Sequence, residues 1–207
     1  MFLRMIILLM FIVAIIMAAY KVNQIKPNAT VSQWVKLNAS GVAIANWAGP
    51  WSCILDENTG LIWENKDNNE GIHHGNWTYS WSNGQGLGVE DKGTCSFNNF
   101  HCDSQDLIRR ARLEKTCGLS QWRLPTAKEL STLFNHTPPV GEPIIDIDFF
   151  PYTQRSDYWT AESRQTLTGF YHFLGEGAIT LDFRQGDKTV TPYRNAAYVR
   201  LVTSEQE

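Results

Sequence analysis

The sequence predicts an α+β domain carried outside the cytoplasm, on three observations. Short strand patterns flank two helical ones, an uncharged apolar run occupies the N-terminus, and all four cysteines lie beyond that run. Strands, then a long irregular excursion, then two helices, then strands again is the order of an α+β architecture with antiparallel strands.

Arg4 and the amino terminus precede the apolar run Met5–Ala19, which holds no charge, Gly or Pro. That is the pattern of a secretory h-region or a signal-anchor helix. With Phe2, Leu3 and Tyr20 it covers about 28 Å as a helix. A signal peptidase site wants small residues at −3 and −1. Cutting after Ala19 places Met17 at −3, and cutting after Ala18 places Ile16 there. Residues 1–20 therefore read as a retained single-pass anchor in preference to a cleaved signal peptide. Lys21 and Lys26 on the far flank oppose the usual charge bias. Residues 21–46 are polar and thinly patterned, a linker or stalk with room for one short strand. The domain is expected over 47–203, with a tail at 204–207.

A net charge of −3 gives no basic footprint for nucleic acid. Charged residues make up only 19% while eight Trp help bring aromatics to 12%, which suits a loop-rich exported domain pinned by aromatic packing. The four cysteines, Cys53, Cys95, Cys102 and Cys117, read as two bridges in an oxidising compartment. Three pairings are open. The favoured one joins Cys95 to Cys102 across a short Asn-rich loop, and Cys53 to Cys117 between an early strand and a helix end. Zinc is the competitor, with His73, His74 and His101 nearby, but no C-x2-C pair exists. No cofactor is expected.

Ser52–Asp56 and Leu61–Glu64 read as strands around the turn Glu57–Gly60. Residues 65–103 are rich in Asn, Gly, Asp and Trp, an excursion long enough to be functional or internally stapled. Asp103 or Ser104 caps a helix running to about Thr116, with Leu107, Ile108 and Ala111 inward and Gly118 stopping it. Thr126 and Glu129 form a T-x-x-E capping box for a second helix, whose stripe is Leu130, Leu133 and Phe134. The strands Asp157–Glu162, Phe170–Leu174, Ala178–Phe183, Lys188–Thr191 and Ala197–Val202 follow.

The run Trp122-Arg123-Leu124-Pro125-Thr126-Ala127-Lys128-Glu129-Leu130 is the most specific stretch. With Trp51–Cys53, Asp56–Glu64, Trp77–Trp81, Cys117-Gly118, Asp146–Pro151, Tyr158–Thr160 and Val199–Val202, it resembles the Lcl C-terminal domain family, named for a collagen-like bacterial adhesin. The R-L-P-T-x-x-E motif and the terminal R-L-V strand are also similar to the sulfatase-modifying, formylglycine-generating group. Both resemblances imply a C-type-lectin-like fold, with two helices packed on twisted antiparallel strands and a long irregular loop region. The catalytic cysteines of that group have no counterpart here, since every cysteine lies at or before position 117.

The motif reads first as a folding element. Pro125 sets the chain before the helix, Thr126 and Glu129 satisfy its free N–H groups, Trp122 and Leu124 share a face, and Arg123 seeks a carboxylate or carbonyls. Trp77, Tyr79 and Trp81 alternate, so they share one strand face. That face is either core or a sugar-stacking platform, and these three are the candidate ligand-binding residues. Asp146 and Asp148 suit calcium, yet D-x-D before Phe149-Phe150 reads equally as a loop of solvated acids, and the Asn of a calcium-lectin triplet is missing. No catalytic residue is assigned, since His136 and His172 lack motif context. The chain is therefore expected to be a non-enzymatic recognition or adhesion domain in the envelope of a bacterium, in the periplasm or at the surface. Its expected partners are a glycan or an envelope protein, and the membrane through residues 1–20. The alternatives are a structural component of a surface appendage or secretion apparatus, and an enzyme of the sulfatase-modifying type.

Overall fold

A computed structural model describes residues 32–96 and 101–204. The expected N-terminal helix, the stalk up to residue 31 and the last three residues of the tail lie outside the described residues. Among the described residues no helix is long and apolar enough to cross a membrane.

The architecture is α+β, with two antiparallel sheets and few helices. The first sheet contains β1 (Trp34–Leu37), β2 (Ala43–Ile44), β3 (Cys53–Asp56), β4 (Leu61–Glu64) and β9 (Val202–Ser204), in the order β2-β1-β3-β4-β9. The last strand thus returns to lie beside the fourth, with Trp63 opposite Val202. The second sheet centres on β7 (Glu176–Asp182). Along it run β5 (Asp157–Trp159), β6 (Gln165–Thr166) and β8 (Lys188–Pro192). Between the sheets in sequence stand α1 (Ser104–Glu114) and the short α2 (Ala127–Ser131).

Three expectations change. The ordered domain begins before Trp47, because β1 and β2 fall inside the stretch read as a stalk. Trp34 and Leu37 are buried, and β1 pairs along its whole length with β3. β1 has four residues and β2 two, each too short to stand out as a period. Phe170–Leu174 is not a strand but part of a 3-10 turn, Gly169–Leu174, with none of its residues buried. The run is apolar without alternation, so periodicity could not type it. At the end of the chain, only Val202–Ser204 forms a strand. Ala197 and Tyr198 make isolated bridges to Tyr79 and Tyr158 instead.

The helices begin as the sequence dictates. Asp103 accepts from the N–H groups of Gln105 and Asp106. At α2, Thr126 and Glu129 close the capping box from both sides. α1 ends at Lys115, which takes a left-handed conformation ahead of Gly118. Two core clusters result. One gathers Tyr79, Trp81, Leu107, Trp122, Trp159 and Leu201 around α1, and the other gathers Trp63, Leu130, Phe150, Tyr158 and Phe183 around α2. Disulfides join Cys53 to Cys117 and Cys95 to Cys102.

Candidate functional site

The excursion before α1 folds as loops pinned by single bridges, not as a sheet of its own. Thr78 pairs with Thr94, Ser80 with Asp103, and Ser82 with Gly88. This lays Trp77, Tyr79 and Trp81 along one line whose side chains turn toward the first core cluster. Tyr79 is buried and donates its hydroxyl to the Ile72 carbonyl at 3.3 Å, and burial pushes that phenol well above its usual range. It is buried in the core, the first of the two readings open for that face. Trp77 is partly buried, donates its indole N–H to the Gly71 carbonyl and stacks on His74. Trp81 is also buried, with its N–H bonded to the Thr160 carbonyl and its ring tilted against Tyr193, and it lines a surface cleft.

That cleft has a volume of about 440 Å³. Trp81, Ile108, Leu124 and Ala161 give it an apolar wall. Ser82, Asn83, Gln105 and Thr126 contribute amides and hydroxyls, and Arg123 and Glu129 complete it. The conspicuous motif of the sequence therefore does two things. Trp122 and Leu124 point into the core, and Trp122 donates its N–H to the Thr116 and Leu119 carbonyls. Arg123, on the alternate face, grips Glu129 through two parallel bonds of 2.8 and 2.7 Å and also donates to the Leu124 carbonyl. Glu129 in turn accepts from the Thr126 N–H at 2.7 Å. The Arg123 fork, outweighing burial, holds the Glu129 carboxyl below its usual range, and the same bonds raise Arg123. The two charges cancel at the cleft, leaving a neutral surface with both apolar and hydrogen-bonding character.

Asp146 and Asp148 sit together in one turn beside Lys36. Asp146 accepts from the Asp148 N–H at 3.1 Å, a turn contact, and Lys36 is the cation they face. Lys36 itself sits 3.5 Å above the Trp51 ring. Among the described residues no group of three or more His, Cys, Asp and Glu side chains is arranged to hold a metal.

A second polar constellation centres on His73, named above only as a possible zinc ligand. Glu64, wholly buried at the end of β4, accepts from Lys66 Nζ at 2.7 Å, from His73 Nδ1 at 2.6 Å and from the Leu201 N–H at 2.9 Å. His73 Nε2 lies 3.1 Å from the Thr116 hydroxyl. Because a carboxylate can only accept, Nδ1 carries a proton, and the Thr116 hydroxyl, which stands against Nε2, is also placed to donate to the Ala111 carbonyl at 3.3 Å. A hydroxyl, an imidazole and a carboxylate in that order is the arrangement of a nucleophile with its base. Here, however, Thr116 is buried, and it does not line the cleft beside Trp81. Arg200, buried beside this group, donates to the Glu64 carbonyl and to the Thr153 hydroxyl. Lys66 and His73 reach Glu64 through the turn that follows β4, the Cys53–Cys117 bridge holds Thr116 beside them, and the return of the chain beside β4 adds Arg200 and Leu201.

The family model of the Lcl C-terminal domain matches residues 52–203. Strands β1 and β2 precede the matched span yet complete its first sheet. No curated protein and no solved structure matches the chain.

Proposed function

The chain belongs to the Lcl C-terminal domain family, and on that footing we propose that it is a non-enzymatic recognition module of a bacterial envelope that binds an uncharged glycan. The binding site is the cleft beside the Arg123–Glu129 pair. The observation that carries this reading is the composition of that cleft. A sugar offers one apolar face and a ring of hydroxyls, and it is met by aromatic or aliphatic surface beside fixed donors and acceptors. The Trp81, Ile108, Leu124 and Ala161 wall supplies the first. Gln105, Asn83 and the mutually neutralised Arg123 and Glu129 supply the second. An anionic ligand would find no spare positive charge there. The C-type-lectin-like kinship implied by the resemblance agrees with this reading. Two disulfides agree with an oxidising compartment and so with export by residues 1–20.

The test is a glycan array probed with the detergent-solubilised full chain, wild type against Ala161→Arg. Ala161 is exposed and lines the cleft, and its N–H bonds the Pro125 carbonyl through the backbone alone. The arginine should fill the cleft while leaving the melting curve unchanged. Binding that Ala161→Arg abolishes supports the reading. An array without hits, or hits untouched by that substitution, would remove the glycan from it.

A further inference from the structure

The turn Gly169–Leu174 gathers four exposed large apolar side chains in six consecutive residues. Its sequence is Gly-Phe-Tyr-His-Phe-Leu, and none of these residues is buried. Phe170 is 81% exposed and Phe173 66%, with Tyr171 and Leu174 also exposed. The base is firm. Leu167 is buried and its N–H bonds the Gly175 carbonyl at 2.9 Å, and β7 starts immediately after. Within the turn, His172 Nδ1 donates to the Gly169 carbonyl, and Phe170 meets Tyr171 and Phe173 edge to face. The aromatic rings thus pack on one another and project as a knob. No charged residue stands between Arg164 and Glu176.

We propose that this knob docks into the interface of a lipid bilayer, the same bilayer in which residues 1–20 tether the chain; this rests on the envelope-anchored reading above. The knob offers roughly 450 Å² of apolar side chain, little more than half of what each partner gives to a standard protein interface. A bilayer needs no complementary pocket, and it takes Phe, Tyr and Leu side chains at headgroup depth. Chain length permits it. The segment from Tyr20 to Ser32 reaches roughly 40 Å at full extension. Gln33 and Trp34, where the domain begins, share a cleft with Phe134, which packs on Phe183 at the far end of β7. The knob adjoins the near end, so the separation is about the length of β7, roughly 24 Å. A tether also makes the second contact intramolecular, so a weak insertion suffices. Docked in this way, the domain would lie along the membrane instead of standing off it.

The test places p-benzoylphenylalanine at Phe173, and separately at the exposed Leu113 of α1, in the full chain. Each protein is irradiated in cell membranes and again, after purification, with vesicles of phosphatidylethanolamine and phosphatidylglycerol. A lipid adduct at Phe173 several-fold above that at Leu113 is expected in both settings. An adduct of dimer mass, an adduct with another protein, equal lipid labelling at both sites, or no adduct would overturn the proposal. Alkaline extraction of wild type and of Phe170→Ser/Phe173→Ser reports on the anchor separately. If residues 1–20 anchor the chain, both stay in the pellet, and the double variant loses no anchoring while its lipid-facing knob is gone. If both are extracted, the anchor reading fails, and the vesicle adduct still decides the knob.

Discussion

His73 holds its Nδ1 2.6 Å from Oε1 of Glu64, a carboxylate fully shut off from solvent. Burial pushes the Glu64 pKa up, but the charge of Lys66 and the bond from His73 outweigh it and bring it down to about 2. A carboxyl depressed in the fold contributes stability above its ordinary pKa, and that stability is lost as the pH falls toward the folded value. The window here runs from 4.5 down to about 2. Glu64→Gln should destabilise by about 3 to 5 kcal/mol near neutrality, because Lys66 is left buried without its counter-charge. Urea midpoints measured across this range should converge for the two proteins as acid neutralises Glu64. Parallel profiles down to pH 2 would mean that the carboxylate is not the ionised hub of this network.

The capping box and the ion pair of the central motif differ in weight. Thr126→Ala removes a side-chain acceptor for the Glu129 N–H and should cost about 1 kcal/mol. The Arg123–Glu129 pair is bidentate, but Arg123 is 40% exposed and Glu129 23%. Water and salt therefore screen it, and a double-mutant cycle with Arg123→Ala and Glu129→Gln should return a coupling under about 1 kcal/mol. A coupling several times larger would indicate that the pair is far better shielded than its exposure says.

The two disulfides close loops of different length, with sequence separations of 64 and 7. On loop-closure entropy, losing Cys53–Cys117 should cost about 4 kcal/mol and losing Cys95–Cys102 about 2.5 kcal/mol. Paired Cys→Ser variants compared in guanidinium melts will rank them. Equal losses would mean that strain or residual structure in the unfolded chain overrides loop length.

How far the sequence revealed this molecule depended on the range of each signal. The α2 cap was legible because Thr126 and Glu129 stand three residues apart and carry their own chemistry. The α+β order was legible because the turn Glu57–Gly60 sets off the short apolar run Leu61–Trp63, and because Leu107, Ile108 and Ala111 of α1 recur at helical spacing. The aromatic trio was legible as a face but not as to what that face meets, since alternation is the same for core and for ligand. Tyr79 lies against α1 only because residues 78–82 bridge to 88, 94, 103 and 197. The cleft wall combines residues 81, 108, 124 and 161, and the Glu64 network combines residues 64, 66, 73, 116 and 200. No local spacing encodes such sets. They depend on how the excursion, α1 and the last strand close on one another.

That closure is most sharply tested at two glycines of the excursion. At Gly93 an added Cβ would lie 2.1 Å from the Thr78 carbonyl oxygen and 2.6 Å from that of Cys102. These are backbone atoms, and the first belongs to the bridge in which the Thr94 and Thr78 N–H groups bond each other's carbonyls. They cannot yield without breaking the loop off the domain. Gly71, in the same excursion, has nothing within 4 Å of the corresponding position. Its φ is not among the positive ones, so alanine fits its backbone. Gly93→Ala should therefore cost at least about 3 kcal/mol, the upper end of overpacking. Gly71→Ala should be neutral or should stabilise by about 0.5 kcal/mol, through the reduced freedom of the unfolded chain. Thermal melts of the two variants side by side separate packing from composition. If both shift alike, the excursion is held loosely and the wall it gives to the cleft is not preformed. If only Gly93→Ala falls, the loop is a fixed part of the domain, and Trp81 stands in the cleft wall before any ligand arrives.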